Sequence, residues 1–122
     1  MKTTRFSNLS RQELSGLKQL FYKYKSRAKQ KFVGWELSLF EFLEVVGKDC
    51  YLCGIEPAQK FHYARLRAYF IYNGIDRIDN NDIYKMSNVA PCCGKCNMMK
   101  GTLSLSDFIN QTKKIAKKRR HK

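Results

Sequence analysis

Apolar residues in the first quarter of the chain recur at intervals of three and four, the spacing that places them on one face of an α-helix. The positions that share this face are Leu14, Leu17, Leu20, Phe21, Tyr24 and Ala28. Just before them, Ser10 and Glu13 have the spacing of a capping box, whose side chains satisfy backbone N–H groups at a helix start. The pattern therefore predicts an amphipathic helix over about 11–30, with its apolar face in the core.

A second capping box, Ser38 and Glu41, precedes another apolar cluster. It predicts a second helix that continues through Val46 and stops at Gly47, a residue type common at helix ends. Between the two helices, 32–37 is predicted to be a short extended segment.

Aromatic and β-branched residues in the middle of the chain predict strands. Tyr69–Tyr72 is one strand, and Ile75–Ile78 is expected to return beside it, because the Asn73-Gly74 dipeptide is a strong hairpin-turn signal. Alternation along the second strand places Arg77 on the face opposite Asp76. A further short strand is expected over 84–89, ended by Pro91. Residues 58–68 fit either helix or loop.

Two more helices are predicted near the C-terminus. A short one begins near Cys93, carries Asn97 and Lys100, and is stopped by Gly101. A last one is capped by Ser104 and Asp107 and continues into a basic tail. Its inward-facing residues are predicted to be Phe108, Ile109 and Ile115. Helices that alternate irregularly with short strands indicate an α+β fold.

Four of the five cysteines form two C-x-x-C pairs, Cys50 with Cys53 and Cys93 with Cys96. Two such pairs can supply the four thiolates of a tetrahedral structural Zn²⁺ site. Neither a signal peptide nor a membrane-length apolar stretch is evident, so we expect a reducing compartment, in which metal is favoured over disulfides. Cys92 adjoins the second pair and is interpreted as the odd thiol, although an exchange of roles with Cys93 remains open.

The net charge of +14 comes from the two ends of the chain, 1–31 and 113–122, whereas the middle is close to neutral. Basic arms around a near-neutral centre are typical of a protein that binds a polyanion, and nucleic acid is the favoured partner. The alternative is a solubilising helix face and a disordered tail. The nucleic-acid-binding residues expected in the tail are Lys117, Lys118, Arg119 and Arg120, joined by Lys100 upstream.

The motifs occur in a distinctive order: a cysteine pair, Asp-Arg-Ile-Asp-Asn over 76–80, Asn-Val-Ala-Pro over 88–91, then Cys93-Gly-Lys-Cys96-Asn97. Over about 28–110 this order resembles the HNH endonucleases, the ββα-metal (His-Me finger) group common in phage genomes. The resemblance implies a ββα-metal finger over 48–103 with a structural zinc held by four cysteines. A basic helical region (1–47) would precede this finger, and a C-terminal helix with its basic tail (104–122) would follow it.

The resemblance also implies roles for individual residues. Cys50, Cys53, Cys93 and Cys96 match the zinc ligands. Asp76 and Asn97 match the positions that hold a catalytic divalent cation, Mg²⁺ or Mn²⁺. Asn88 matches an asparagine that supports the loop around the catalytic base. Lys100 is interpreted as a phosphate contact or as an ordinary surface lysine.

The sequence departs from the pattern of the HNH family at one position that matters for catalysis. Arg77 occupies the place of the family's water-activating histidine, and a guanidinium cannot accept a proton at ordinary pH. It can instead bind a phosphate oxygen or stabilise transition-state charge. Asp79, expected on the same strand face as Arg77, is the first candidate for the base, and metal-bound water losing its proton to solvent is another. Neither His62 nor His121 is assigned to the site, although entry of His62 into it stays open.

These expectations describe a metal-dependent endonuclease that hydrolyses phosphodiester bonds in DNA, with double-stranded DNA as the expected partner. The alternative is a non-catalytic HNH-fold zinc protein that binds nucleic acid, with Arg77 marking lost chemistry. A zinc-ribbon adaptor is a weaker third interpretation, because it leaves the polar 76–82 segment unexplained. We expect no membrane partner and a cytoplasmic location in a bacterial host cell, with phage origin implied only by the resemblance.

Overall fold

A computed structural model describes residues 8–63 and 69–120. Within them the protein is a mixed α+β structure with four helices and two two-stranded antiparallel sheets. The helices are α1 (Arg11–Gln30), α2 (Leu39–Val46), α3 (Gly94–Lys100) and α4 (Leu105–Arg120). The strands are β1 (Gln59–His62), β2 (Tyr69–Tyr72), β3 (Gly74–Arg77) and β4 (Val89–Cys92), with a short 3₁₀ turn at Met86–Asn88.

The first two helices begin where their capping boxes predict. The Ser10 hydroxyl accepts a hydrogen bond from the Glu13 backbone N–H at 3.0 Å, and the Glu13 carboxylate accepts one from the Ser10 N–H at 3.0 Å. Ser38 and Glu41 make the same reciprocal pair. Both helix starts follow from hydrogen bonds between residues that are close in sequence, and both predicted starts are confirmed.

The apolar faces of these helices form the core. Helix α1 packs on β1, β2 and α2, and α2 packs on β3 and β4. The most deeply buried members are Leu17, Leu20, Phe42, Leu43 and Val46. Phe21 and Trp35 meet Phe42 through tilted or edge-on ring contacts, which join α1 to α2 and to the segment between them. Helix α2 thereby lies between α1 and the strand pair β3–β4, which contains Asp76.

The predicted hairpin through Asn73-Gly74 is wrong. Strand β2 pairs with β1, with Phe61 opposite Phe70, and β3 pairs with β4, with Asp76 opposite Ala90. Residues 59–62, which fit helix or loop by sequence, are therefore a strand, while 64–68 lie outside the described residues. The chain passes from one sheet to the other at Asn73 instead of turning back on itself.

The chain crosses from one sheet to the other at Asn73 because the polar groups of Asn73 form hydrogen bonds with residues outside both sheets. It is 1% exposed, and its side-chain amide donates to the carbonyls of Lys48 at 2.9 Å and Ile55 at 3.3 Å. Its backbone N–H donates to the Val46 carbonyl at 2.8 Å. These three hydrogen bonds hold the chain extended across Asn73, and a hairpin turn at this point would forfeit them.

The strand predicted over 84–89 is also wrong, because other structure occupies most of this segment. Tyr84 forms one isolated bridge with Trp35, a 3₁₀ turn follows, and the strand begins at Val89 and includes Pro91. Proline lacks a backbone donor but keeps its acceptor. The Pro91 carbonyl accepts from the Tyr51 N–H at 2.8 Å, so it links β4 to the first cysteine pair.

The C-terminal helices form as predicted, with one exception in packing. Gly101 ends α3 at φ +56°, and the Ser104 hydroxyl caps α4 through the Asp107 N–H at 3.2 Å. Phe108 is buried, but Ile115 is 54% exposed, so its predicted inward orientation is wrong. The basic segment is helical and exposed through Arg120, whereas His121 lies outside the described residues.

We expect Asn73→Ala to lower the free energy of unfolding by about 1–2 kcal/mol, because the Lys48 carbonyl loses its side-chain donor while the Ile55 carbonyl keeps the Cys50 N–H. Urea unfolding of the zinc-loaded protein, followed by circular dichroism, measures this. Asn110→Ala, on the exposed surface of α4, is the matched control and should change stability little. Equal, small effects of both changes would contradict the role given to Asn73.

Candidate metal centre and adjoining cleft

The first cysteine pair lies in a tight turn fixed by backbone hydrogen bonds. The Cys50 N–H donates to the Ile55 carbonyl and the Gly54 N–H donates to the Cys50 carbonyl, both at 2.9 Å. Gly54 has φ +80°, a left-handed conformation that glycine adopts without steric cost. This turn places the thiols of Cys50 and Cys53 on the same side of the loop.

The second pair lies at the start of α3. Cys93 is the N-cap residue, and its sulfur accepts the Cys96 backbone N–H at 3.4 Å. Cys96 follows within the first turn of the helix. The helix that carries two candidate ligands therefore also carries Asn97 and Lys100 at fixed positions relative to them.

The two pairs converge. The sulfur atoms of Cys50, Cys53, Cys93 and Cys96 all lie within 4.8 Å of one another, and those of Cys53 and Cys93 are 3.8 Å apart. Tetrahedral Zn²⁺ with Zn–S bonds of about 2.3 Å separates its sulfurs by about 3.8 Å, so the donor set fits zinc. Cys92 is fully buried and is not one of the four. The predicted cysteine set can hold a metal, and Cys92 remains the odd thiol.

Hydrogen bonding prepares part of this set for binding. Although burial raises the pKa of Cys50, hydrogen bonds from the backbone N–H groups of Cys53 and Cys93 lower it below the usual thiol value, which favours the thiolate that binds a metal. Burial and the neighbouring thiols raise the pKa of Cys96. Zinc binding should therefore release protons from this set.

Asp76 lies beside the metal centre in a buried polar contact. Its Oδ2 atom accepts a hydrogen bond from the Tyr51 hydroxyl at 2.5 Å and lies 3.2 Å from the Lys100 ammonium. Lys100 is 1% exposed and Asp76 is 6% exposed. Burial and the Asp76 carboxylate raise the pKa of Tyr51, which keeps its proton on the shared bond.

Lys100 thus differs from both sequence interpretations. It is not a surface lysine, and in this conformation its ammonium faces a carboxylate instead of solvent. The reason is tertiary: Gly101 ends the helix directly after Lys100, and β3 lies against this end of the helix with Asp76 pointing at it. A phosphate contact by Lys100 would require it to leave Asp76.

A cleft of about 310 Å³ opens next to this contact. It brings together three predicted site residues, Asp76, Arg77 and Asn97. Its further lining residues include Lys31, Tyr84 and Thr102, which sequence analysis did not assign to a site. Asn97 is exposed on α3, so the cleft has an accessible amide on one wall and a largely buried carboxylate on the other.

Arg77 holds the loop that follows β3. Its guanidinium donates to the carbonyls of Asn80 and Asp82, both at 2.9 Å, and lies 5.2 Å from the centre of the Tyr84 ring. These contacts fix the side chain at the edge of the cleft that it lines. Arg77 is therefore a structural residue of the loop as well as a charged group at the cleft.

Asn88 fixes the same loop from the other side. Its Oδ1 accepts the Asp79 N–H at 2.9 Å, and its Nδ2 donates to the carbonyls of Asp79 and Ile83 at 3.0 Å. Asp79 lies beyond the end of β3 and accepts the Asn81 N–H at 2.9 Å. Its predicted position on the strand face of Arg77 is wrong, because the strand ends at Arg77.

The remaining predicted residues lie elsewhere. His62 is exposed on β1, with its ring 5.7 Å from that of Tyr69, and does not line the cleft. Lys117, Lys118, Arg119 and Arg120 form the exposed last turn of α4. Tyr51 was missed altogether, although its place between two cysteine ligands indicates that its side chain lies near the metal loop.

Comparison with known proteins identifies a viral relative. Over 89 residues, 73% of this chain, the sequence is 35% identical to an uncharacterized protein of Acanthamoeba polyphaga mimivirus. The chain spans 15% of the length of that viral protein. No protein-family model and no solved structure matches. Among residues 8–63 and 69–120, no helix combines the length and hydropathy needed to cross a membrane.

Zinc should be a structural component of the protein. We expect one zinc ion per chain by elemental analysis, lost in Cys53→Ala and retained in Cys92→Ala, because only the first residue belongs to the four-sulfur set. Chelation should unfold much of 48–100, since zinc-binding free energy is folding free energy in small domains of this kind. A circular dichroism spectrum unchanged after complete zinc removal would contradict this.

The buried ion pair gives a second prediction. Lys100→Met should lower the free energy of unfolding by about 3–5 kcal/mol, because it leaves the Asp76 charge buried without its partner. Adding Asp76→Asn should recover much of the loss, since a neutral amide can still accept the Tyr51 hydroxyl. Urea unfolding measures both, and Lys95→Met, at an exposed lysine on the same helix, is the control. Additive effects in the double variant would refute direct coupling.

Proposed function

We propose that this protein is a metal-dependent endonuclease of the HNH type that hydrolyses phosphodiester bonds in DNA. The observation that carries the proposal is the cleft, in which Asp76, Arg77 and Asn97 lie together beside the four-cysteine centre. The sequence resemblance assigns the same residues to one catalytic site. Two independent arguments thus point to the same side chains.

Asp76 and Asn97 are the residues that would hold Mg²⁺ or Mn²⁺, because carboxylate and amide oxygens are the ligands these ions favour. The Oδ2 atom of Asp76 is shared by Tyr51 and Lys100, whereas Oδ1 has only a 3.5 Å contact with Lys100. We therefore assign Oδ1 as the metal-ligating atom. A bound divalent cation would polarise the scissile phosphate and stabilise the leaving oxygen.

The side chains around these two have supporting roles. Tyr51 and Lys100 hold the Asp76 carboxylate in one orientation. Arg77 supplies positive charge at the cleft, where charge builds up on the phosphate oxygens. Because a guanidinium cannot accept a proton and Asp79 does not line the cleft, we assign the proton of the attacking water to solvent.

The basic ends of the chain would bind the DNA backbone. The last turn of α4 exposes four basic residues, and Lys31 places a further charge in the cleft itself. Phosphate contacts of this kind position a duplex without reading its sequence, and they weaken as salt rises. A four-thiol site and a DNA substrate both suit the reducing interior of a cell, and we propose a cytoplasmic location.

A non-catalytic nucleic-acid-binding protein is the second candidate. It is favoured by the buried contact of Asp76 with the Lys100 ammonium, which already neutralises the carboxylate that the metal would need. An internal ammonium in place of a divalent cation would preserve the fold while abolishing hydrolysis. The binding surfaces of the two candidates are the same.

Plasmid cleavage distinguishes the two candidates. We expect the zinc-loaded protein to convert supercoiled DNA to nicked or linear forms with Mg²⁺ or Mn²⁺, and Asn97→Ala to lower the rate by at least about 100-fold, because half of the protein ligand set is removed. Asn97 is exposed, so its loss leaves the fold intact, whereas Asp76→Ala strands the buried Lys100.

Met98→Ala, at the adjoining exposed position, is the matched control for the Asn97 change and should keep full activity. Arg77→His then tests whether arginine limits the rate at this position. Tight, salt-sensitive DNA binding by a zinc-loaded protein that cleaves with neither cation would refute the nuclease and establish the second candidate.

A further inference from the structure

Phe32 occupies a position that is normally reserved for glycine. It follows Lys31, the C-cap residue of α1, and its φ of +58° is in the left-handed region. The Val33 N–H donates to the Ala28 carbonyl at 2.9 Å across it, the six-to-one hydrogen bond of a Schellman helix end. A bulky side chain at such a position is sterically disfavoured relative to glycine.

Burial does not compensate for this cost. The Phe32 side chain is 97% exposed, the highest exposure of any large apolar residue in the described part of the chain. Neither the backbone nor the core therefore accounts for phenylalanine here. Strained and exposed aromatic residues are found where the side chain contacts a ligand, so Phe32 directs attention to the surface around it.

Val33, the next residue in the chain, lines an apolar groove of about 530 Å³. Its lining consists of Tyr22, Val33 and Trp35 together with Lys25, Ser26 and Lys29. The Trp35 indole N–H donates to the Leu37 carbonyl at 2.9 Å, which fixes the ring, and Tyr22 is 62% exposed. The groove thus combines fixed or accessible aromatic rings with lysines at its margin.

The groove and the cleft are neighbours. Trp35 lines the groove, and its ring lies 5.1 Å from the tilted ring of Tyr84, which lines the cleft. Phe32 lies between Lys31, a cleft residue, and Val33, a groove residue. A chain-like ligand that spans both sites would therefore pass close to Phe32.

We propose that this surface, defined by Phe32, Tyr22 and Trp35 with Lys25, Lys29 and Lys31, binds an unpaired segment of nucleic acid by stacking its bases on the aromatic rings. The inference rests on the proposed function, because it takes the polyanion in the cleft to be nucleic acid. Lysines spaced among aromatic rings match the alternation of phosphates and bases along a single strand. Bases in an intact duplex are already stacked and cannot present their faces to Phe32.

The substrate class follows from this surface. A nucleic acid with a single-stranded region next to the scissile phosphate, such as a flap, a gap or an unwound end, would place its unpaired bases in the groove and its backbone in the cleft. An acidic protein would satisfy the lysines but would offer no bases to the aromatic rings. That difference makes the proposal testable with nucleic acid alone.

Trp35 is the sole tryptophan of the chain and lines the groove, so its fluorescence reports binding there. The zinc-loaded protein is titrated at fixed salt with a single-stranded oligonucleotide, an abasic strand of equal length and charge, and a blunt duplex. We expect quenching by the base-bearing strand, with an affinity roughly 10-fold or more above that of the abasic strand.

Phe32→Gly separates stacking from charge. It should weaken binding of the base-bearing strand by roughly 10-fold or more while leaving the abasic strand unaffected, and the midpoint of urea unfolding should stay the same or rise, because glycine suits the left-handed position. Phe32→Tyr should retain binding. Ile55→Ala, which removes another exposed apolar side chain, is the control.

Equal affinity of the wild-type protein for base-bearing and abasic strands would overturn the proposal, as would an equal loss on both strands in Phe32→Gly. If duplex binding and cleavage persist in either case, the proposed nuclease function stands without this surface. Absence of binding to all three nucleic acids would overturn both proposals together.

Discussion

The convergence of four thiols is the constraint on which the rest of the structure depends. The cysteine pairs are far apart in sequence, yet their sulfurs lie within 4.8 Å of one another, which fixes the first loop against the start of α3. Bringing four thiols together without a metal is unfavourable once they ionise, because like charges repel. A bound zinc ion removes that repulsion and supplies folding free energy that a chain of this size gains with difficulty from its core alone.

One wall of the cleft takes its position from this junction. Helix α3 begins at a candidate zinc ligand, and Lys100 at its other end meets Asp76 of β3 at 3.2 Å. Tyr51, from the other cysteine loop, binds the same carboxylate oxygen. The metal centre and the cleft are therefore structurally coupled, since Tyr51 follows the first ligand of one cysteine pair, Lys100 lies on the helix of the other, and both contact Asp76. The loop after β3 is held separately, by Arg77 and Asn88 acting on its carbonyl groups.

The surface around this unit also carries side chains that are exposed to solvent and lie outside the core. The basic last turn of α4 is exposed, and Phe32 is both exposed and held in a conformation that disfavours it. Residues that stabilise nothing in the folded chain are the ones available to a ligand. Their charge suits phosphate and their aromatic rings suit bases, and on this ground we propose the cleft and the groove beside α1 as parts of one nucleic-acid surface.

By itself the sequence determined the features that depend on neighbours along the chain. Capping boxes at Ser10 and Ser38 set the helix starts, and Gly101 set a helix end. The two C-x-x-C motifs predicted the four-cysteine set, while the exclusion of Cys92 from it was decided by the structure. Only the tertiary structure decided which strands pair, where Asp79 and Ile115 point, and that Lys100 is buried. The Asn73-Gly74 signal failed because the local preference for a turn was outweighed by three hydrogen bonds from Asn73 to distant carbonyls. Such partners become neighbours only when the chain has folded, so no local pattern encodes them.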